Sequence, residues 1–199
     1  MTPSPDEPPE YAPKCVLVTG GSGFIASFVV ARLLSAHPHL RVVVFDKMDY
    51  CASRRNLDAV IDHPNLVIVK GNILDHKAVC AALRSHDVDT VMHFAAQTHV
   101  DNSFGNSISF SLNNTLGTHV LLESSRLVGT IRRFINASTD EVYGGVDFEW
   151  EERLHEKVRD KTRTTLNHAY HDSFLRSSPP SATLVFLTGA HELVECSRD

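Results

Sequence analysis

The sequence predicts an α/β fold, a doubly wound parallel sheet with helices on both faces, and three observations point to it. Residues 15–26, CVLVTGGSGFIA, pass from an unbroken apolar run through a glycine-crowded turn into helical periodicity. Apolar runs and helical segments then alternate as far as Ala137. An aspartate, Asp46, closes the second apolar run 20 residues beyond Ala26.

Cys15, Val16, Leu17 and Val18 form the continuous apolar run that a strand needs when both faces of its sheet are covered. Thr19 ends it, and Gly20, Gly21 and Gly23 crowd the turn that follows. From Phe24 the apolar positions Ala26, Val29, Val30, Leu33 and Leu34 take helical spacing. Residues 41–45 give a second strand ending in Asp46, residues 54–61 a helix, His63-Pro64-Asn65 a break and residues 66–69 a third strand. Residues 75–85 are helical, with Ala78, Val79, Ala82 and Leu83 on one face, and residues 89–94 form a fourth strand. A long helix over about residues 107–128 carries Leu112, Leu116, Val120, Leu121 and Leu127, and a fifth strand covers residues 132–137. Strands separated by helices assemble into a parallel sheet through right-handed crossovers.

The glycine turn leaves the first amides of its helix unpaired and pointing outward, where the helix dipole adds to their attraction for an anion such as a pyrophosphate. A side chain there would hold the phosphates away. The spacing Gly20, Gly23, Ala26 places a small residue third, which lets the helix pack close on the strand. Alone, a glycine triplet also fits an ordinary tight turn; the strand, the helix and Asp46 favour a dinucleotide. The Asp46 carboxylate is placed to bind the hydroxyls of an adenosine ribose and to repel a 2'-phosphate, which selects NAD over NADP.

Composition bounds the rest. A chain of 199 residues, 42% hydrophobic and 22% charged, suits one globular domain. A net charge of -5 without a basic stripe argues against nucleic acid as a partner. Cysteines 15, 51, 80 and 196 show no CxxC spacing and read as reduced thiols of a cytoplasmic protein, in which the glycosylation matches at Asn113 and Asn136 are chance. Twelve histidines include no HExxH or Cys/His cluster, so no metal site is expected. Residues 1–13 hold five of the nine prolines and read as a disordered leader, without the basic start and apolar centre of a signal peptide. No run reaches the roughly 18 apolar residues of a membrane span.

In such a sheet the ligand lies across the carboxyl ends of the strands. The third strand ends in Gly71-Asn72-Ile73, an edge for the adenine pocket. After the fourth come Ala95 and Ala96, small enough for the backbone to approach a cofactor, and Thr98, within reach of a substrate hydroxyl. The fifth ends in Ser138-Thr139-Asp140-Glu141, which reads either as a polar loop with a helix cap or as a carboxylate pair set for acid and base chemistry.

TGGSGFIA, DKMDYCAS, MHFAAQTHVDNSFGNS, NNTLGTHVLLES and STDEVYG together closely resemble the nucleotide-sugar 4,6-dehydratases of the extended short-chain dehydrogenase/reductase superfamily. The plant-type UDP-glucose 4,6-dehydratases of rhamnose synthesis also carry GFIA in the glycine loop. The resemblance spans residues 14–144, about two thirds of the chain. It implies the NAD-binding half of a Rossmann-type fold and a reaction in three parts. Bound NAD oxidises C4 of the glucose ring of a dTDP- or UDP-sugar, water leaves from C5 and C6, and the hydride returns to C6. By the same resemblance Asp140 is the acid that protonates the leaving hydroxyl, Glu141 the base that takes the C5 proton, and Thr139 hydrogen-bonds the 4-oxygen. Such an acid needs a raised pKa, which burial beside Glu141 would supply. Phe24, Ile25, Asp46, Asn72, Ile73, Ala95, Ala96, Asn113 and Asn114 fall in the cofactor site, and Thr98 meets both cofactor and substrate.

Two departures stand out. The family usually carries Asp where Asn72 stands, although an amide oxygen can still accept a hydrogen bond. No Tyr-x-x-x-Lys pair follows Glu141: Tyr143 is followed at the fourth place by Asp147, and Tyr170 by Phe174. Without that pair the C4 oxidation is expected to slow by several orders of magnitude.

Past residue 145 the resemblance ends. Trp150, Leu154 and Val158 recur at helical steps, Ser177-Ser178-Pro179-Pro180 breaks the pattern, and residues 183–188, TLVFLT, read as a strand able to join the sheet. The organisation expected is a leader over 1–13, an NAD-binding domain over 14–145 and a divergent segment over 146–199, with no counterpart of the family's smaller substrate domain. The resemblance also implies a homodimer through the long helix and the Tyr/Lys helix, of which the second has no counterpart. Three readings follow: a nucleotide-sugar 4,6-dehydratase truncated or misread after residue 145 and inactive by itself, a non-catalytic NAD-binding module, or a structural remnant.

Overall fold

The computed structural model describes residues 11–98, 105–137, 183–188 and 192–197. In chain order its elements are β1 (Cys15–Thr19), α1 (Phe24–Ala36), β2 (Arg41–Asp46), a 3-10 helix (Arg54–Val60), β3 (Leu66–Lys70), α2 (His76–Ser85) and β4 (Thr90–His93). There follow α3 (Ser107–Phe110), a π-helical turn (Ser111–Leu116), α4 (Gly117–Val128), β5 (Arg133–Ala137), β6 (Thr183–Thr188) and β7 (Glu192–Ser197). The sheet runs β3-β2-β1-β4-β5-β6-β7, parallel as far as β6, with β7 antiparallel to it.

Every residue of β1 is buried, which is why its sequence is apolar without alternation. Val16 and Val18, with Val42 and Val44 of β2, pack on one side against Ala26, Val30 and Leu34 of α1 and Leu57 of the 3-10 helix. Cys15 and Leu17, with Val43 and Phe45, pack on the other against Val79 and Leu83 of α2 and Leu121 of α4. Burying each such side chain is worth about 1.5–3 kcal/mol. The chain runs outward through β2 and β3, then returns to β4 on the other side of β1, so the crevice between the carboxyl ends of β1 and β4 is the point at which strand order reverses.

Four local features differ from the sequence reading. Residues 54–60 form a 3-10 rather than an α-helix: RRNLDAV buries only Leu57, so little packing holds a regular helix, and the Ser53 hydroxyl caps its start by accepting the Arg55 amide at 3.2 Å. The long helix is interrupted by the π-helical turn. β7 was not expected, because Glu192 and Glu195 interrupt a short apolar pattern. Tyr11, assigned by composition to the leader, is held against β4: its hydroxyl lies 2.8 Å from Asp89 Oδ1 and 2.6 Å from Thr90 Oγ1. Residues 1–10 and 146–176 lie outside the described residues.

Candidate functional site

Gly20 adopts φ +67°, and a Cβ there would fall 2.8 Å from the Cα of Ala95. The glycine turn thus packs directly on the backbone that follows β4, an approach no side chain permits. The Gly20 amide donates to the Phe45 carbonyl at 2.9 Å, and the Gly23 amide to the Gly20 carbonyl at 2.9 Å. Gly23 caps α1 without a side-chain acceptor, leaving the first-turn amides at the positive end of a 13-residue helix.

Asp46, at the end of β2, is 5% exposed. Its Oδ2 accepts the Ser22 amide at 3.0 Å and its Oδ1 the Met48 amide at 2.8 Å. One carboxylate therefore fixes the glycine turn and the loop after β2, and each oxygen keeps a second lone pair for a ligand hydroxyl. Beside it Lys47 Nζ lies 2.7 Å from Asp49 Oδ2. That hydrogen bond holds the Asp49 carboxyl below the usual carboxylate range.

A buried polar chain ties β1, β4 and α4 together. The Thr118 hydroxyl donates to the Asn114 carbonyl at 2.7 Å, so its oxygen accepts from His93 Nε2 at 2.9 Å. The His93 proton therefore sits on Nε2, and Nδ1 accepts the Thr19 hydroxyl at 2.6 Å. Thr19 Oγ1 accepts the Ala95 amide at 3.3 Å. Burial brings the His93 pKa down to about 4, keeping the ring neutral.

The π-helical turn places both asparagines. Asn114 grips the backbone of Gln97 twice, Oδ1 accepting its amide at 2.8 Å and Nδ2 donating to its carbonyl at 2.9 Å. Asn113 Nδ2 donates to Asn114 Oδ1 at 3.0 Å. Gly117 lets this helix press on Ile73, whose Cδ1 lies 2.5 Å from where a Cβ would stand.

Of the residues named from the sequence, Gly20, Gly23, Asp46, Asn72, Ile73, Ala95, Ala96 and Asn113 line one groove across the carboxyl ends of β3, β2, β1 and β4. Phe24 and Ile25 project from the start of α1, 76% and 69% exposed, whereas Ala26 is buried against the sheet. Asn114 stands behind the groove as a support, and Thr98 is exposed at the end of the loop after β4. Thr139, Asp140 and Glu141 lie outside the described residues. Sequence reasoning missed Gln97, Asp49 and Cys51, which also line the groove, and the linking role of His93. The run after Asp46 was a signal for Asp49 and Cys51, and the place of Gln97 just past the end of β4 a signal for that residue; a histidine inside an apolar strand was the signal for His93. Among the described residues no group of three or more His, Cys, Asp or Glu is placed to hold a metal, and no helix is long and apolar enough to cross a membrane.

A parallel sheet that reverses at β1, with a glycine turn there and a buried carboxylate at the end of β2, defines a Rossmann-type nucleotide-binding protein. Residues 17–165 match the model of the family described as GDP-mannose 4,6 dehydratase. The chain belongs to that family, among the nucleotide-sugar 4,6-dehydratases of the extended short-chain dehydrogenase/reductase superfamily.

A trifunctional UDP-glucose 4,6-dehydratase/UDP-4-keto-6-deoxy-D-glucose 3,5-epimerase/UDP-4-keto-L-rhamnose-reductase of Arabidopsis thaliana is 55% identical over 137 residues, 69% of this chain and 20% of that protein. A human dTDP-D-glucose 4,6-dehydratase is 44% identical over 140 residues, 70% of this chain and 40% of the relative. The crystal structure of a dTDP-glucose 4,6-dehydratase from Streptomyces venezuelae with NAD and TYD bound superposes with a TM-score of 0.63 at 41% identity, covering 67% of this chain and 42% of that one. The chain thus spans less than half the length of each of these relatives.

Proposed function

We propose that the chain binds NAD along this groove as the cofactor-binding part of a nucleotide-sugar 4,6-dehydratase acting on dTDP- or UDP-glucose. The observation that carries the reading is the seating of Gly20 on the Ala95 backbone beside the buried Asp46 carboxylate. That arrangement leaves room for a pyrophosphate at the start of α1 and two acceptor oxygens for a ribose. The crystal structure of the Streptomyces relative, with NAD bound, supports it.

Residues 14–145 are the cofactor unit in this reading, with Thr98 and Thr139 towards the sugar, Asp140 as acid and Glu141 as base. Cys15, Cys51 and Cys80 are free thiols, in keeping with a cytoplasmic setting. Exposed Ile108, Leu112 and Leu116 share one helical face and favour a homodimer.

Calorimetric titration with NAD tests the cofactor site; no binding at about 1 mM overturns it. Incubation with NAD and UDP-glucose or dTDP-glucose tests the chemistry. The chain by itself is expected to form no 4-keto-6-deoxy product, because no Tyr-x-x-x-Lys follows Glu141 in its sequence. That absence favours a second reading, a non-catalytic NAD-binding module, distinguished by cofactor binding without turnover.

A further inference from the structure

Sheet order sets the loops after β2 and β4 on either side of the glycine turn that follows β1, and one side chain joins them. Gln97, in the loop after β4, has its backbone held twice by the Asn114 amide, at 2.8 and 2.9 Å. Its own side-chain amide reaches the other loop: it hydrogen-bonds the Asp49 carboxylate, and its Oε1 lies 3.5 Å from the Tyr50 hydroxyl. A carboxylate only accepts, so Nε2 is the end that faces Asp49. Asp49 is itself fixed within its loop, Oδ2 by Lys47 Nζ at 2.7 Å and Oδ1 by the Tyr50 amide at 2.8 Å. Asp49, Gln97, Gly20 and Gly23 all line the one groove. The contact therefore spans the track that a dinucleotide would follow from the ribose site at Asp46 to the loop after β4. Its two halves differ. Gln97 is pinned to the π-helical turn, whereas the loop after β2 turns outward at Met48, φ +59°, and carries Tyr50, 61% exposed.

We propose that the contact between Gln97 and Asp49 is a clasp closed over the bound dinucleotide, with Gln97 a positioning residue that slows both its entry and its release. A clasp that closes on the free and on the loaded chain scales both rates by the fraction of time it stands open, and leaves the affinity nearly unchanged. A side chain whose only role was to touch the cofactor would slow release alone. One that filled the phosphate site would slow entry alone.

The inference rests on the dinucleotide reading above, and the experiment separates the two. Stopped-flow mixing of the full chain with NADH, followed by nicotinamide fluorescence, gives the entry rate, and displacement of bound NADH by excess NAD gives the release rate. Gln97→Ala should raise both by about fivefold, the worth of one hydrogen bond, with Kd held within about twofold. In an Asp49→Ala background the same change at Gln97 should move either rate by less than about twofold, because its partner is already gone. Release alone faster, entry alone faster, neither rate changed, or an undiminished effect in the Asp49→Ala background each overturns the inference and leaves dinucleotide binding intact. Thermal melts check folding. Should Gln97→Ala not fold, Gln97→Glu decides: it keeps the stem, sets a carboxylate against Asp49, and should raise both rates as well. A parent chain that binds no NADH at about 1 mM overturns the dinucleotide reading, and the inference with it.

Discussion

The Thr19 hydroxyl and His93 Nδ1 lie 2.6 Å apart where the carboxyl ends of β1 and β4 meet. This contact joins the strand that feeds the glycine turn to the strand whose loop the turn rests on. It needs a neutral imidazole, because Nδ1 must accept. Burial supplies one by lowering the His93 pKa to about 4, against 6.5 for an exposed histidine. The unfolded chain takes up a proton that the folded chain excludes. The contribution to stability is therefore complete above about pH 6.5 and is lost as the pH falls towards 4, a span worth about 3 kcal/mol. His93→Leu should be less stable at neutral pH by about 2 kcal/mol, since Thr19 and Thr118 each lose a partner. It should also show a shallower loss of stability between those pH values. Denaturant melts across that range check this; an unchanged slope would mean His93 is not the group responsible.

Gly20 and Gly129 both take left-handed φ, +67° and +75°, but only Gly20 has backbone where a Cβ would stand. Gly129→Ala should cost about 1 kcal/mol for the conformation alone. Gly20→Ala should cost clearly more, because Ala95 must move, and should weaken NAD binding by more than tenfold. Thermal melts and NAD titrations of the two variants separate conformational strain from close approach.

How much of this was legible in the sequence follows from where the information lies. β1, the glycine turn and α1 were readable because the apolar pattern changes period within a few residues, and Asp46 because its place depends on chain order alone. β6 was readable as the TLVFLT run that follows the Ser177-Ser178-Pro179-Pro180 break. The link from Thr19 through His93 to Thr118 was not, since it joins residues 74 and 25 positions apart that are individually ordinary. The π-helical turn was hidden because its SLNNTL sequence shows no breaker, and its asparagines find partners only once the loop after β4 is in place. Resemblance grouped Asn113 with Asn114; the structure puts Asn113 on the groove and turns the Asn114 side chain to Gln97.

Asp46→Asn changes charge and hydrogen bonding together. Both carboxylate oxygens accept backbone amides, so the NH2 of an asparagine must face either Ser22 N–H or Met48 N–H. The glycine turn should loosen by about 1–3 kcal/mol and NAD affinity should fall. Removing the negative charge should also relieve repulsion of a 2'-phosphate, shifting the NAD to NADP affinity ratio towards NADP by about tenfold. Paired titrations with the two cofactors check this; a parallel loss for both would assign Asp46 to the loop alone.

Tyr11 offers a control at the opposite, amino-terminal end of the strands. Its hydroxyl bonds to Asp89 and Thr90 at the start of β4, and its ring lies beneath the guanidinium groups of Arg132 and Arg133, 4.6 and 5.2 Å from the centroid. Burial, the largest influence, helps push the phenol up to about 12, so it stays protonated across the physiological range. Tyr11→Phe keeps the ring under the arginines and loses the hydroxyl contacts, which should cost about 1–2 kcal/mol. Tyr11→Ala loses both and should cost at least 1 kcal/mol more. Neither should change NAD affinity by more than about twofold, because the groove lies at the carboxyl ends of the strands and Tyr11 at their amino ends. Thermal melts and NAD titrations of both variants measure the two effects. A large loss of affinity would mean that the amino-terminal anchor sets the spacing of β1 and β4 through to the glycine turn.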